Sequence, residues 1–171
     1  MNSYNEHRNI HLRKQVLQSL LKMMQTQDIN DISISSLTEN AGIGRASFYR
    51  NYDSKEDVLR QEAISKLQRW GRISERDPRF SPVYIFESLF THIRENGEFY
   101  AALQKAGLMD IVLDTLVEKV GLDPSMPNEE AYAKASLAYM IFGWINEWMK
   151  RGMQEKGDEL KDMLMRNSSN G

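Results

Sequence analysis

The sequence predicts an all-α fold of about nine helices. An N-terminal three-helix helix-turn-helix domain is expected over residues 1–54, and a helical bundle over 55–171, opened by a linking helix at about 55–75. Three observations carry this. Apolar residues recur at three- and four-residue steps, the spacing that lines one side of a helix. No run of β-branched residues alternates over the length of a strand. The four prolines fall in two pairs, Pro78/Pro82 and Pro124/Pro127, and leave long segments without a helix breaker.

The elements follow in order. Ile10, Val16, Leu17, Leu20, Leu21 and Met24 form one stripe, which predicts a helix from about Glu6 to Gln27 that ends at Asp28–Asp31. Ser33 is a good N-cap for a second helix, which carries Ile34, Leu37 and Ala41 inward and closes at Gly42. After a very short turn a third helix runs over about 45–52, with Phe48 and Tyr52 inward against Ile43 and Leu37. Asp53-Ser54 cap the fourth helix. Pro78 and Pro82 mark a break. Helices are then expected at 83–95, 98–105, 108–120, 129–151 and 158–166, with a loop at 121–127.

Composition bounds the function classes. The chain is 41% apolar and 27% charged, as in ordinary globular proteins. It has no cysteine, which excludes disulfides, thiolate metal sites and a cysteine nucleophile. No apolar run approaches the roughly 18–20 residues of a membrane span, and the polar N-terminus lacks a secretory apolar core, so a cytoplasmic location is expected. Net charge is −2, but residues 1–60 balance at +1 and residues 61–171 at −3. A nucleic-acid module needs its positive charge only at the contact face.

Two helices joined by a tight glycine-containing turn form a helix-turn-helix, in which the second helix can enter a major groove. With Phe48 and Tyr52 inward, Arg45, Ala46, Ser47, Tyr49, Arg50 and Asn51 share the outer face and flanks. Arg45 can read a guanine edge or hold a phosphate; Tyr49 offers a rigid hydroxyl; Lys55 adds a cation at the next helix start. Ser33, Ser35 and Gly44, at the starts of the two helices, complete the candidate DNA contacts. The plain alternative is a solvated surface.

The stretch ISISSLTENAGIGRASFYRNYDSKEDVL resembles the signature of TetR-type bacterial transcriptional regulators. Ser33, Ala41-Gly42-Ile43, Ser47-Phe48-Tyr49, Tyr52 and Lys55-Glu56 with Leu59 occupy the family's motif positions, in matching order and spacing. Two residues depart from the pattern: Gly44 stands where Ser, Thr or Asn is commoner, and Tyr52 where Phe is commoner. Arg45 and the Trp-rich long helix are also similar to a subgroup that includes regulators of dihydroxyacetone kinase genes. The resemblance implies a homodimeric repressor that binds a double-stranded DNA operator, with a C-terminal body for dimerisation and for a small-molecule effector.

Within that body, the helix at 129–151 is apolar on two sides. Ala138, Ile141, Phe142, Ile145, Trp148 and Met149 form one stripe; Ala133, Leu137, Met140 and Trp144 form another. Such a helix has two things to bury against, its own core and a partner, or it is the central helix of a monomer. Met140, Gly143, Trp144 and Trp148 are the candidate dimer residues. Phe86, Phe90, His92, Tyr100 and Tyr139 are candidates for a ligand pocket, although aromatics at helical spacing are commonly plain core.

No catalytic constellation emerges. His7 and His11 lie four apart without a third ligand, and Glu129-Glu130 and Asp158-Glu159 sit at helix starts, where the helix dipole explains them. The sequence therefore predicts no enzyme, no cofactor and no metal. The rival reading is a protein-binding co-activator or scaffold on the same fold.

Overall fold

The computed structural model describes residues 3–79 and 81–169. Among them it contains nine α-helices, one 3-10 turn and no strand. The helices are α1 (Ser3–Met24), α2 (Ile34–Asn40), α3 (Arg45–Tyr49), α4 (Lys55–Ser74), α5 (Pro82–Glu95), α6 (Gly97–Lys105), α7 (Asp110–Lys119), α8 (Asn128–Lys150) and α9 (Gly157–Ser169). The chain divides into two compact units, residues 1–63 with Ala101–Leu108, and Ile64–Tyr100 with Met109–Gly171. The cut therefore falls within α4, rather than at the helix start before Lys55, and a short piece from the end of α6 belongs to the first unit.

The first unit is built around Val16, Leu20, Met24, Ile29, Leu37, Phe48, Leu59 and Leu103, all buried. Ile10, expected on the inward stripe of α1, is 65% exposed instead, and from residue 9 onward the first buried position of that helix is Val16. The Asp28–Asp31 segment that ends the helix pattern is itself ordered as a 3-10 turn over Ile29–Asp31, and Ile29 is buried. Asp28 caps it by accepting from the Asn30 N–H at 2.9 Å, which holds the Asp28 carboxyl below its usual range. Two lysines distant in sequence satisfy the carbonyls around this turn. Lys105 Nζ donates to the carbonyls of Met24 (2.8 Å) and Gln27 (3.0 Å), and Lys55 Nζ to those of Asn30 (3.0 Å) and Ile32 (2.8 Å). A helix C-terminus leaves such carbonyls without intrahelical partners, and a cation there is favoured by the dipole as well.

The second unit packs α5 against α9 and α7 against α8. Its core holds Phe86, Leu89, Phe90, Ile93, Tyr100, Val112, Ala138, Ile145 and Trp148. Gly157 shows how close α9 comes to α5: a Cβ there would stand 2.7 Å from the Glu87 carbonyl oxygen. Lys161 of α9 pairs with Glu87 of α5 at 2.8 Å. The last helix, expected to end at 166, continues to Ser169.

Candidate nucleic-acid interface

Local chemistry dictates the α2–turn–α3 corner. Ser33 Oγ accepts from the Ser36 N–H at 3.0 Å, so the hydroxyl caps α2. Gly42 has φ +66°, and the turn closes with Gly42 N–H to the Glu39 carbonyl (3.1 Å) and Ile43 N–H to the Thr38 carbonyl (3.0 Å). That is the paired bonding of a Schellman ending, and it explains the glycine, since a Cβ disfavours this conformation. Gly44 is extended and caps α3 without a side chain; its carbonyl accepts from the N–H groups of Ser47 (2.9 Å) and Phe48 (3.1 Å).

Phe48 anchors α3. It is 0% exposed and meets the Tyr52 ring at a centroid distance of 5.5 Å. Tyr52 is buried at 4%, and burial pushes its phenol pKa up. The Arg13 guanidinium lies 5.7 Å from the Tyr52 ring centroid, and its Nη2 donates to Gln61 Oε1 at 2.6 Å. Around this anchor, Gly44, Arg45, Ala46, Tyr49 and Arg50 are exposed, and Ser35 is exposed at the start of α2. Tyr49 alone exposes 52% of its surface. These six of the candidate contact residues are therefore open to solvent.

Four others have structural work, of which only the Ser33 cap is legible in the sequence. The Ser33 hydroxyl is the α2 cap. Ser47 is half-buried, and its Oγ accepts from Arg50 Nη2 at 2.8 Å. Asn51 is a clamp: Nδ2 donates to the Ser47 carbonyl (2.8 Å), Oδ1 accepts from Asn9 Nδ2 (3.0 Å), and its carbonyl accepts from Gln61 Nε2 (3.1 Å). Lys55 holds the two carbonyls described above. Asn9 and Gln61, which the sequence reading did not single out, thus tie the end of α3 to α1 and α4. Their only signal in the sequence is a separation of 42 and 10 residues from Asn51, which no periodicity reveals.

In the second unit the candidates also separate. Met140 is 38% exposed and Gly143 is exposed on the outer side of α8; Trp144 is half-buried, edge-on to Phe86. Trp148 is not on that face: it is 4% exposed, packs edge-on against Phe90 and donates its indole N–H to the Glu155 carbonyl at 3.1 Å. Its position belongs to the inner stripe, so its own core covers it. Of the pocket candidates, Phe90 and Tyr100 are fully buried packing residues, and Tyr139 is 60% exposed on the outer side of α8. Phe86 borders an apolar cavity of about 330 Å³ with Ile85, Leu116, Val120, Leu137 and Met140. His92 borders a more polar cavity of about 340 Å³ with Trp70, Ser74, Ser88 and Thr91. Burial, reinforced by Lys66 and Arg69, lowers the His92 pKa to about 4, so the ring is neutral at neutral pH; Nε2 shares a 3.0 Å hydrogen bond with the Tyr100 hydroxyl. Of the histidine pair, His11 is exposed, and the His7 side chain lies outside the described residues. No helix among the described residues is long and apolar enough to cross a membrane.

No family model matches the chain. A curated relative, the uncharacterised HTH-type transcriptional regulator YxbF of Bacillus subtilis (strain 168), is 25% identical over 151 residues, or 78% of this chain. The chain spans 39% of that relative's length. Among solved structures, Lin0861 from Listeria innocua is similar with a TM-score of 0.79 at 16% identity, over 99% of this chain and 94% of that one. NalD, the secondary repressor of the MexAB-OprM multidrug efflux pump in Pseudomonas aeruginosa, has a TM-score of 0.64 at 15% identity, over 95% and 97%. The fatty acid degradation regulator FadR from Bacillus halodurans has a TM-score of 0.59 at 13% identity, over 90% and 92%. At these identities the structural likeness is one of fold. The narrower likeness to dihydroxyacetone kinase regulators gains no support from these matches.

Proposed function

We infer that this chain, which has the fold of the TetR-type repressors, is a DNA-binding transcriptional regulator. It acts as a repressor, as a homodimer, with α3 of each protomer in a major groove of one operator. The observation that carries the reading is the division of α3 around Phe48: a fully buried anchor on one side, and Arg45, Ala46, Tyr49 and Arg50 in solvent on the other. A helix held this firmly and presenting two guanidinium groups and a phenol suits a groove lined by phosphates and base edges. The overall charge of −2 is no obstacle, because the cations are local.

Pairing is supported by the outer side of α8, where Tyr132, Leu137, Tyr139 and Met140 are 38–68% exposed. An apolar helix face of this kind suits a second copy, and a two-fold pair matches a palindromic operator. Release by a small effector is the third part of the proposal. Its place is the second unit, where the cavities at His92 and Phe86 are of a size to take one.

The test is a titration of fluorescent duplexes covering the DNA beside the gene, followed by anisotropy, with sedimentation of the free protein alongside. The reading predicts salt-dependent binding to one of those duplexes by a dimer. A monomer that retains no duplex at low salt, yet captures a protein, would instead support the co-activator alternative.

A further inference from the structure

The exposed residues of α3 are not equivalent. Phe48, fully buried, defines the inward direction. At roughly 100° per residue, Ala46 and Arg50 stand on the opposite side, one above the other. Both are exposed, and Arg50 is still in helical conformation at the C-cap (φ −74°, ψ −17°). Arg45 and Tyr49 fall on one flank, Ser47 and Asn51 on the other. The ridge that goes deepest into a groove is therefore Ala46–Arg50, and Arg45 is beside it.

Arg50 is also the anchored one. Its Nη2 donates to Ser47 Oγ at 2.8 Å, one turn back, and the Ser47 carbonyl is itself held by Asn51 Nδ2 at 2.8 Å. Arg50 is otherwise exposed. A long side chain fixed before binding loses less rotamer freedom when it binds. A planar fork with fixed direction matches the N7 and O6 acceptors of guanine, and a small methyl beside it suits a thymine methyl. Arg45 has no hydrogen-bond or ion-pair partner among the described residues, as suits a mobile cation that follows phosphate.

We propose that Arg50 sets the sequence preference by reading a guanine in each half-site, with Ser47 as its positioning residue, while Arg45 and Tyr49 hold the backbone. This rests on the DNA-binding reading above. The experiment is selection from randomised duplexes by the full chain at fixed salt, for the wild type, Arg50→Lys, Ser47→Ala and Arg45→Ala, with melting curves to verify folding. The wild type enriches a motif with one guanine per half-site. Arg50→Lys keeps the charge and loses the fork, so preference at that base pair falls at least about fivefold, while preference at other positions persists. Ser47→Ala weakens the same preference in part, and adds nothing in an Arg50→Lys background. Arg45→Ala lowers affinity for every duplex and reduces the salt slope by about one, with the motif intact. Selection of the same guanine by Arg50→Lys, or its loss in Arg45→Ala, overturns the assignment. So does a wild type that binds duplex but enriches no motif, and that result leaves the DNA reading standing. A wild type that retains no duplex at low salt overturns both.

Discussion

Helix α3 buries Phe48 and leaves Arg45, Ala46, Tyr49 and Arg50 in solvent; helix α8 buries Ala138, Ile141, Ile145 and Trp148 and leaves Tyr132, Leu137, Tyr139 and Met140 there. The inward faces obey one rule: each is apolar and close-packed within its own unit. The outward faces differ in kind. On α3 the exposed chemistry is cationic and hydrogen-bonding, and on α8 it is apolar. Inward faces therefore report how the chain folds, and outward faces carry the proposed contacts: a polyanion at α3, and a second copy at α8.

The comparison is broken most severely from inside. Phe48→Ala should cost about 3–5 kcal/mol and abolish DNA binding with it, as read by denaturant unfolding and anisotropy. Arg50→Ala on the opposite side should leave stability within about 0.5 kcal/mol. On α8 the inward change Ile145→Ala should cost about 2–5 kcal/mol of protomer stability. The outward change Met140→Glu should do something different: shift the sedimentation coefficient toward monomer while the denaturation midpoint of the protomer barely moves. If both α8 changes acted on protomer stability alone, the outer face would have no partner.

Lys55 sharpens the boundary between the two kinds of residue. Its sequence position suggested a phosphate contact, whereas its ammonium holds the Asn30 and Ile32 carbonyls. Lys55→Met should cost about 1 kcal/mol in stability and leave the salt slope of DNA binding unchanged. A slope reduced by about one would restore the phosphate role. The smallest effect concerns pH. His92 has a folded-state pKa near 4, below its ordinary value of 6.5, so between those values the unfolded chain binds the extra proton. Stability should fall as pH drops from about 6.5 toward 4, and His92→Gln should flatten that part of the profile in thermal melts.

Much of this was legible in the sequence. The α2 cap at Ser33, the Gly42 turn and the inner stripe of α8 are local patterns, set by neighbours three or four residues away, and they stand as read. What the sequence hid is long-range. The Lys105 and Lys55 ties reach 78–81 and 23–25 residues along the chain, and the Asn51 clamp reaches back 42 residues to Asn9. These ties take Asn51 and Lys55 out of the solvent-facing set. Trp148 misled for another reason: it lies on the inner stripe close to its border with the outer one, and its packing against Phe90 puts it in the core rather than on the dimer face. Ile10 fits the α1 period, yet it is 65% exposed, and the first buried position after it is Val16.

The most direct measurement is hydrogen–deuterium exchange of the full chain, with and without duplex and across protein concentration. The account predicts that duplex slows exchange in residues 44–52 and that dilution speeds it in residues 132–143. Protection by duplex elsewhere, with 44–52 unchanged, would contradict it.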